Sequence, residues 1–143
     1  MITACHSAPP RKPAAAEASV TLAVLPAESS KFPQTAHAIT ESLAKATVSG
    51  VDHKELSKVS LEVVQLSIEC VEASPECYAQ VGKSLAANRL LFAEVSASGK
   101  RKVQVTVTLF DVDAKSPKTA TRTFASEREA AAGAADLVAE ATR

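Results

Sequence analysis

The residue pattern predicts an α/β chain of the α+β kind: a single mixed sheet with helices packed on it, in the order β-α-β-α-α-β-β-β-α. Three observations carry that expectation. A β-branched apolar run, Val20 to Pro26, gives way to apolar residues spaced three and four apart, a change from strand period to helix period. Val103, Val105, Val107 and Leu109 alternate with Gln104, Thr106 and Thr108 between two turn-forming stretches, the pattern of an antiparallel meander. An alanine-rich stretch, Glu127 to Thr142, closes the chain. Helices that alternate with strands early, followed by a meander, imply a mixed sheet.

Taken in order, Val20 to Pro26 reads as a buried strand stopped by proline. Pro33 opens a helix whose apolar face is Ala36, Ile39, Leu43 and Ala46, with Gly50 as its expected stop. His53 to Ser60 is expected to hold a short strand. Leu61 to Val71 carries two interleaved apolar sets, Leu61, Val64, Ile68, Val71 and Val63, Leu66, Cys70. A helix is the preferred reading. A strand there would need a bulge at Val63 and Val64, where the alternation changes phase. Ser74, Pro75 and Glu76 give the N-cap, first position and first-turn acid of a further helix, which is expected to bury Cys77, Val81 and Leu85. Arg89 to Val95 is a strand, Ser98 to Lys102 a turn, and Asp111 to Pro117 the next turn. Thr119 to Phe124 is a polar, β-branched strand suited to a sheet edge.

Residues 1–19 are expected to lie outside the domain, and residues 20–143 to form it. The segment from His6 to Ser19 contains Pro9, Pro10 and Pro13 among alanine and charged residues, a composition that reads as a flexible tether. The whole chain of 143 residues has zero net charge. That balance argues against nucleic acid as the main partner, since phosphate binding draws on surplus Lys and Arg. The chain has no Trp and one Tyr, Tyr78, so it lacks the stacking platforms of single-strand binders. No apolar run approaches the roughly 20 residues that span a bilayer.

The three cysteines stand in different contexts. Ile2, Thr3, Ala4 and Cys5 fit a bacterial lipobox, in which small residues precede the cysteine that takes lipid. Only Met1 precedes the box, whereas a signal peptide has a basic and an apolar region upstream. Either translation starts further upstream or the match is accidental; the tether behind Cys5 favours the first. Cys70 and Cys77 are seven apart with no histidine beside them, a spacing unsuited to a zinc knuckle. In an exported chain such a pair is expected to form a disulfide. The alternative is two buried thiols in a cytosolic helix pair.

Other fragments of motif are weaker. Gly82-Lys83-Ser84 is the tail of a phosphate-binding loop, but the required earlier glycine is Cys77 and the stretch reads as helix, so no nucleotide is expected. His6, His37 and His53 have no nucleophile elbow to serve and are expected to be exposed. Asp111 and Asp113 lack the later glycine and glutamate of a calcium loop. Neither a metal nor a cofactor is expected. Lys100, Arg101 and Lys102 form a basic hairpin tip that could touch an anionic surface or simply keep the turn soluble.

Three segments in order carry a resemblance: Leu22-Ala23-Val24-Leu25-Pro26, then Ala86-Ala87-Asn88-Arg89-Leu90-Leu91-Phe92, then Leu109-Phe110-Asp111-Val112. Together they resemble the TolB amino-terminal-like domains of envelope lipoproteins and, more distantly, the core of the curli secretion lipoprotein CsgG. The Cys70 and Cys77 pair with Tyr78 and Gly82 resembles envelope proteins of myxobacterial type. The resemblance implies a non-catalytic periplasmic role in protein–protein contacts and brings no catalytic residue. The chain lacks the membrane strands of a CsgG-like pore and the propeller that often follows a TolB-type module. The combined expectation is a periplasmic lipoprotein domain, anchored by Cys5 to the outer membrane, that binds another envelope protein or itself. The alternatives are a structural subunit of an envelope assembly or secretion ring, and a cytosolic α/β regulatory module.

Overall fold

The computed structural model describes residues 19–143; Cys5, His6 and the proline-containing tether up to residue 18 lie outside the described residues. Five strands, β1 (Thr21–Val24), β2 (His53–Leu56), β3 (Arg89–Ala97), β4 (Val103–Asp111) and β5 (Ser116–Phe124), form one mixed sheet in the order β2-β1-β3-β4-β5. β2 and β3 run parallel to β1 on its two sides, and β3, β4 and β5 follow as an antiparallel meander. Four helices pack on this sheet: α1 (Pro33–Lys45), α2 (Leu61–Ser67), α3 (Pro75–Ser84) and α4 (Glu127–Thr142). The fold class and the element order are those the sequence predicts.

β1 sits inside the sheet, and Leu22, Ala23 and Val24 are all buried, which is why its sequence is continuously apolar rather than alternating. On one face, Leu22, Val24, Leu91 and Val103, Val105 and Val107 meet Ile39 and Leu43 of α1 and the buried stripe of α4. That stripe is mostly alanine (Ala130, Ala134, Ala141, with Leu137 and Val138), so the helix lies close to the sheet. On the other face, Ala23, Leu25, Leu90, Phe92 and Phe110 meet Leu61 and Val64 of α2 and Ala79 and Val81 of α3. β5 is an edge strand, and Pro117, Lys118 and Arg122 along it discourage further pairing. Arg122 is tied to Glu140 of α4 at 3.1 Å.

Several boundaries differ from the sequence reading. α1 ends at Lys45, five residues before Gly50, and Ala46 is already extended. The Lys54 ammonium of β2 donates to the Ala46 carbonyl at 3.1 Å and also to that of Ala44. A lysine from a neighbouring strand thus caps the helix end where glycine was expected. Gly50, with φ +79°, serves the turn into β2 instead. β5 begins at Ser116, not Thr119, because an edge strand tolerates Pro117. α2 ends at Ser67, so Cys70 lies past the helix rather than closing it. Leu85 is half-buried as the C-cap of α3.

Candidate interaction surfaces

The corner between α2 and α3 is built from short-range signals. Ser60, fully buried, caps α2 through the Val63 amide. The exit is a Schellman turn: the Cys70 amide donates to the Gln65 carbonyl at 2.9 Å and the Glu69 amide to that of Leu66 at 3.3 Å. Glu69 holds φ +57° at the position glycine favours. Ser74 then caps α3 through the Cys77 amide at 3.2 Å, with Pro75 in the first turn. Cys70 and Cys77 are joined as a disulfide with Cα atoms 5.7 Å apart. Cys77 is buried, and the Gln65 amide donates to its sulfur at 3.5 Å and to the Glu72 carbonyl at 3.2 Å. Gln65 therefore ties the helix, the connection and the disulfide together.

The two apolar sets of this segment part company on α2. Leu61 and Val64 face the sheet and are buried. Val63 and Leu66 are 45% and 68% exposed. Residues three apart share a helix face, so the solvent side of α2 carries an apolar pair. Val59 before the helix and Val71 after it are also exposed. A seven-residue helix can bury only one stripe, and the doubled period signals more apolar surface than one face can hide. Glu55, Glu62, Glu69, Glu72 and Glu76 are all exposed in the same stretch, and none joins an ion pair among the described residues. Tyr78 of α3 packs edge-on to Phe110 and tilted to Phe92, with ring centroids 5.5 and 5.1 Å away. Burial, then the negative charges of Glu94 and Glu62, push its hydroxyl pKa up.

The remaining candidates of the sequence take structural roles. Lys100, Arg101 and Lys102 stand exposed at the β3–β4 hairpin tip, closed by the Ser98 amide on the Lys102 carbonyl at 3.0 Å. Gly82 lies inside α3, where an added Cβ would come within 2.3 Å of a Val112 methyl. It is a close-packing glycine, not part of a phosphate cradle. Asp111 accepts from the Ala114 amide at 3.0 Å and pairs with Arg89 at 3.4 Å. Asn88, in the segment that carried the resemblance, accepts from the Thr21 amide at 2.9 Å through its side chain and from the Val112 amide at 2.9 Å through its carbonyl. It fastens β1 to the end of β4.

His37 is exposed and sits 3.2 Å from Glu41 on its own helix. An open depression of ≈ 570 Å³ adjoins His37, Ser29, Thr40 and Lys58. The Thr40 hydroxyl there is bound to the Ala36 carbonyl at 2.8 Å and the Ser29 hydroxyl to the Phe32 amide at 2.9 Å. The Thr40 hydroxyl also accepts from the Ala27 amide at 2.9 Å. His53 is the exposed first residue of β2. Among the described residues no group of three His, Cys, Asp or Glu could hold a metal ion, and no helix is long and apolar enough to cross a membrane. An open groove of ≈ 450 Å³ runs between α1 and α4, past Ala38, Ser42, Lys45, Ala131 and Ala135.

No known family's model matches the sequence, and no curated protein matches it. Solved structures do resemble the chain. The LpoB C-terminal domain from Salmonella enterica aligns with a TM-score of 0.46 at 14% identity, covering 74% of this chain and 82% of that one. A PelC dodecamer from Paraburkholderia phytofirmans, a point variant, aligns at 0.44 and 19% identity, covering 86% and 85%. TolB from Acinetobacter baumannii aligns at 0.42 and 12% identity, covering 86% of this chain but 28% of TolB. At these scores and identities no role passes from them to this chain.

Proposed function

We propose that the chain is a non-catalytic protein-interaction domain of a bacterial cell envelope, held in the periplasm at the outer membrane by lipid on Cys5. The observation that carries this reading is the apolar pair Val63 and Leu66, left in solvent on a corner closed by the Cys70–Cys77 disulfide. Exposed apolar clusters mark docking surfaces, and disulfides persist in oxidising compartments. The lipobox residues Ile2 to Cys5 and the tether behind them agree with the same address. The basic tip Lys100, Arg101 and Lys102 is then a second contact point, toward an anionic surface. A structural subunit of an envelope assembly is the second reading, favoured by the exposed sheet edge β2.

The test is an intact mass of the protein purified from its native host without reductant. A lipid adduct on a chain starting at Cys5, with the Cys70 and Cys77 thiol hydrogens lost, is the expected result. A bare mass from Met1 with all thiols reduced would overturn the envelope address and leave a cytosolic module. Native mass spectrometry separates the two leading readings, since an assembly subunit gives a large discrete particle.

A further inference from the structure

We propose that the outer face of α2 is the docking site for a basic amphipathic segment of another protein. This deepens the interaction-domain reading and rests on it. The apolar part of the site is Val63 and Leu66 on the helix with Val59 and Val71 on its two flanks, all exposed. The charged part is the acidic frame. Between Glu55 and Glu76 the chain carries five glutamates against one lysine, Lys58, a net of four negative charges in a molecule whose total is zero. All five carboxylates are exposed and without an ion-pair partner among the described residues.

The frame selects the occupant. An anionic membrane surface attracts basic residues and repels this rim. A second copy docking face to face would bring the same four negative charges against each other, and like charges across an interface are costly. The basic hairpin tip of another copy, Lys100, Arg101 and Lys102, matches the charge but carries no apolar side chain for Val63 and Leu66. Arg11 and Lys12 of the tether lie among alanine and proline, with no large apolar side chain beside them. A helix with apolar residues three and four apart, and Lys or Arg beside them, satisfies both halves of the site. The disulfide and Gln65 hold the corner in place beforehand, which lowers the ordering cost of binding.

The experiment uses the full chain and a fluorescein-labelled synthetic helix with leucines at helical spacing and lysines elsewhere. The controls are the same peptide with glutamate for lysine, and one with its leucines scrambled. Fluorescence anisotropy is expected to show binding of the first peptide only, weakening as salt rises. Val63→Ser with Leu66→Ser should weaken it by roughly tenfold or more, and Glu69→Lys with Glu72→Lys should do the same. Both residues of the first pair are exposed, and unchanged thermal melts of these variants confirm that the fold is intact. Equal binding of the acidic or scrambled peptide, or basic-peptide binding indifferent to Val63 and Leu66, would overturn the proposal. So would a dimer in sedimentation equilibrium that the serine pair abolishes, or flotation with phosphatidylglycerol vesicles that it abolishes. Failure here leaves the intact-mass result standing, and a bare intact mass leaves the peptide result standing, so the two claims fail separately.

Discussion

Replacing Gly82 by alanine tests whether this glycine is structural. The new Cβ would lie 2.3 Å from one Val112 methyl, 3.0 Å from the other and 3.2 Å from the Val112 Cβ. Val112 is buried, and each staggered χ1 rotamer leaves at least one of its two methyls at one of the two crowded positions. Relief must therefore come from separating α3 from the turn after β4. Overpacking of this kind costs about 2–3 kcal/mol, toward the upper part of its usual range. Alanine returns about 1 kcal/mol through its better helix propensity. The net expectation for Gly82→Ala is a loss of about 1–2 kcal/mol in urea unfolding followed by far-ultraviolet circular dichroism. Val112→Ala alone should cost about 1.5–2.5 kcal/mol for two lost methyls and the space they leave. In the double variant the methyl introduced at position 82 occupies that space. The double variant should then be more stable than the sum of the singles by at least about 1 kcal/mol. Additivity within about 0.5 kcal/mol would refute the packing argument.

Two further outcomes follow from the same surroundings. Cys70→Ser should destabilise the chain by roughly 2–3 kcal/mol in oxidising buffer, the loop-closure value for so short a separation, and add little under reductant. Equal loss in both buffers, by denaturant titration, would assign the effect to packing alone. Tyr78 is the only tyrosine and there is no Trp, so near-ultraviolet tyrosinate absorbance reads one group. Its midpoint should lie above the ordinary 10.0, and Glu62→Gln should lower it. Because the folded pKa is raised, the associated stability is complete below about pH 10 and is lost as pH climbs through the folded value. Tyr78→Phe should remove that alkaline loss in pH-dependent melts.

Strand alternation in β4, the continuous apolar run of β1, the Ser74 cap with Pro75 and the alanine-rich run of α4 are local signals. The sequence therefore shows the order of all nine elements and the span of α4. Local signals also misplace boundaries where a distant residue decides. The end of α1 depends on Lys54 reaching across from β2, and the start of β5 depends on its being an edge. Neither neighbour can be read from the residues around Lys45 or Pro117.

The candidate site divides in the same way. The doubled apolar period between Leu61 and Val71 and the glutamates beside it are visible in the chain, as are the two cysteines. Which apolar set faces the sheet is not visible, because both fit a helix equally well. That choice follows from where Ser60 caps the helix and how α2 meets Ala23, Leu90 and Phe110. The elements, their order and the balanced charge are properties of the chain alone, because they depend on neighbours within a few residues or on simple composition. That Gly82 packs against Val112, and that Val63 and Leu66 stay in solvent, was settled by the assembled fold, because burial belongs to the partner surface and not to the residue.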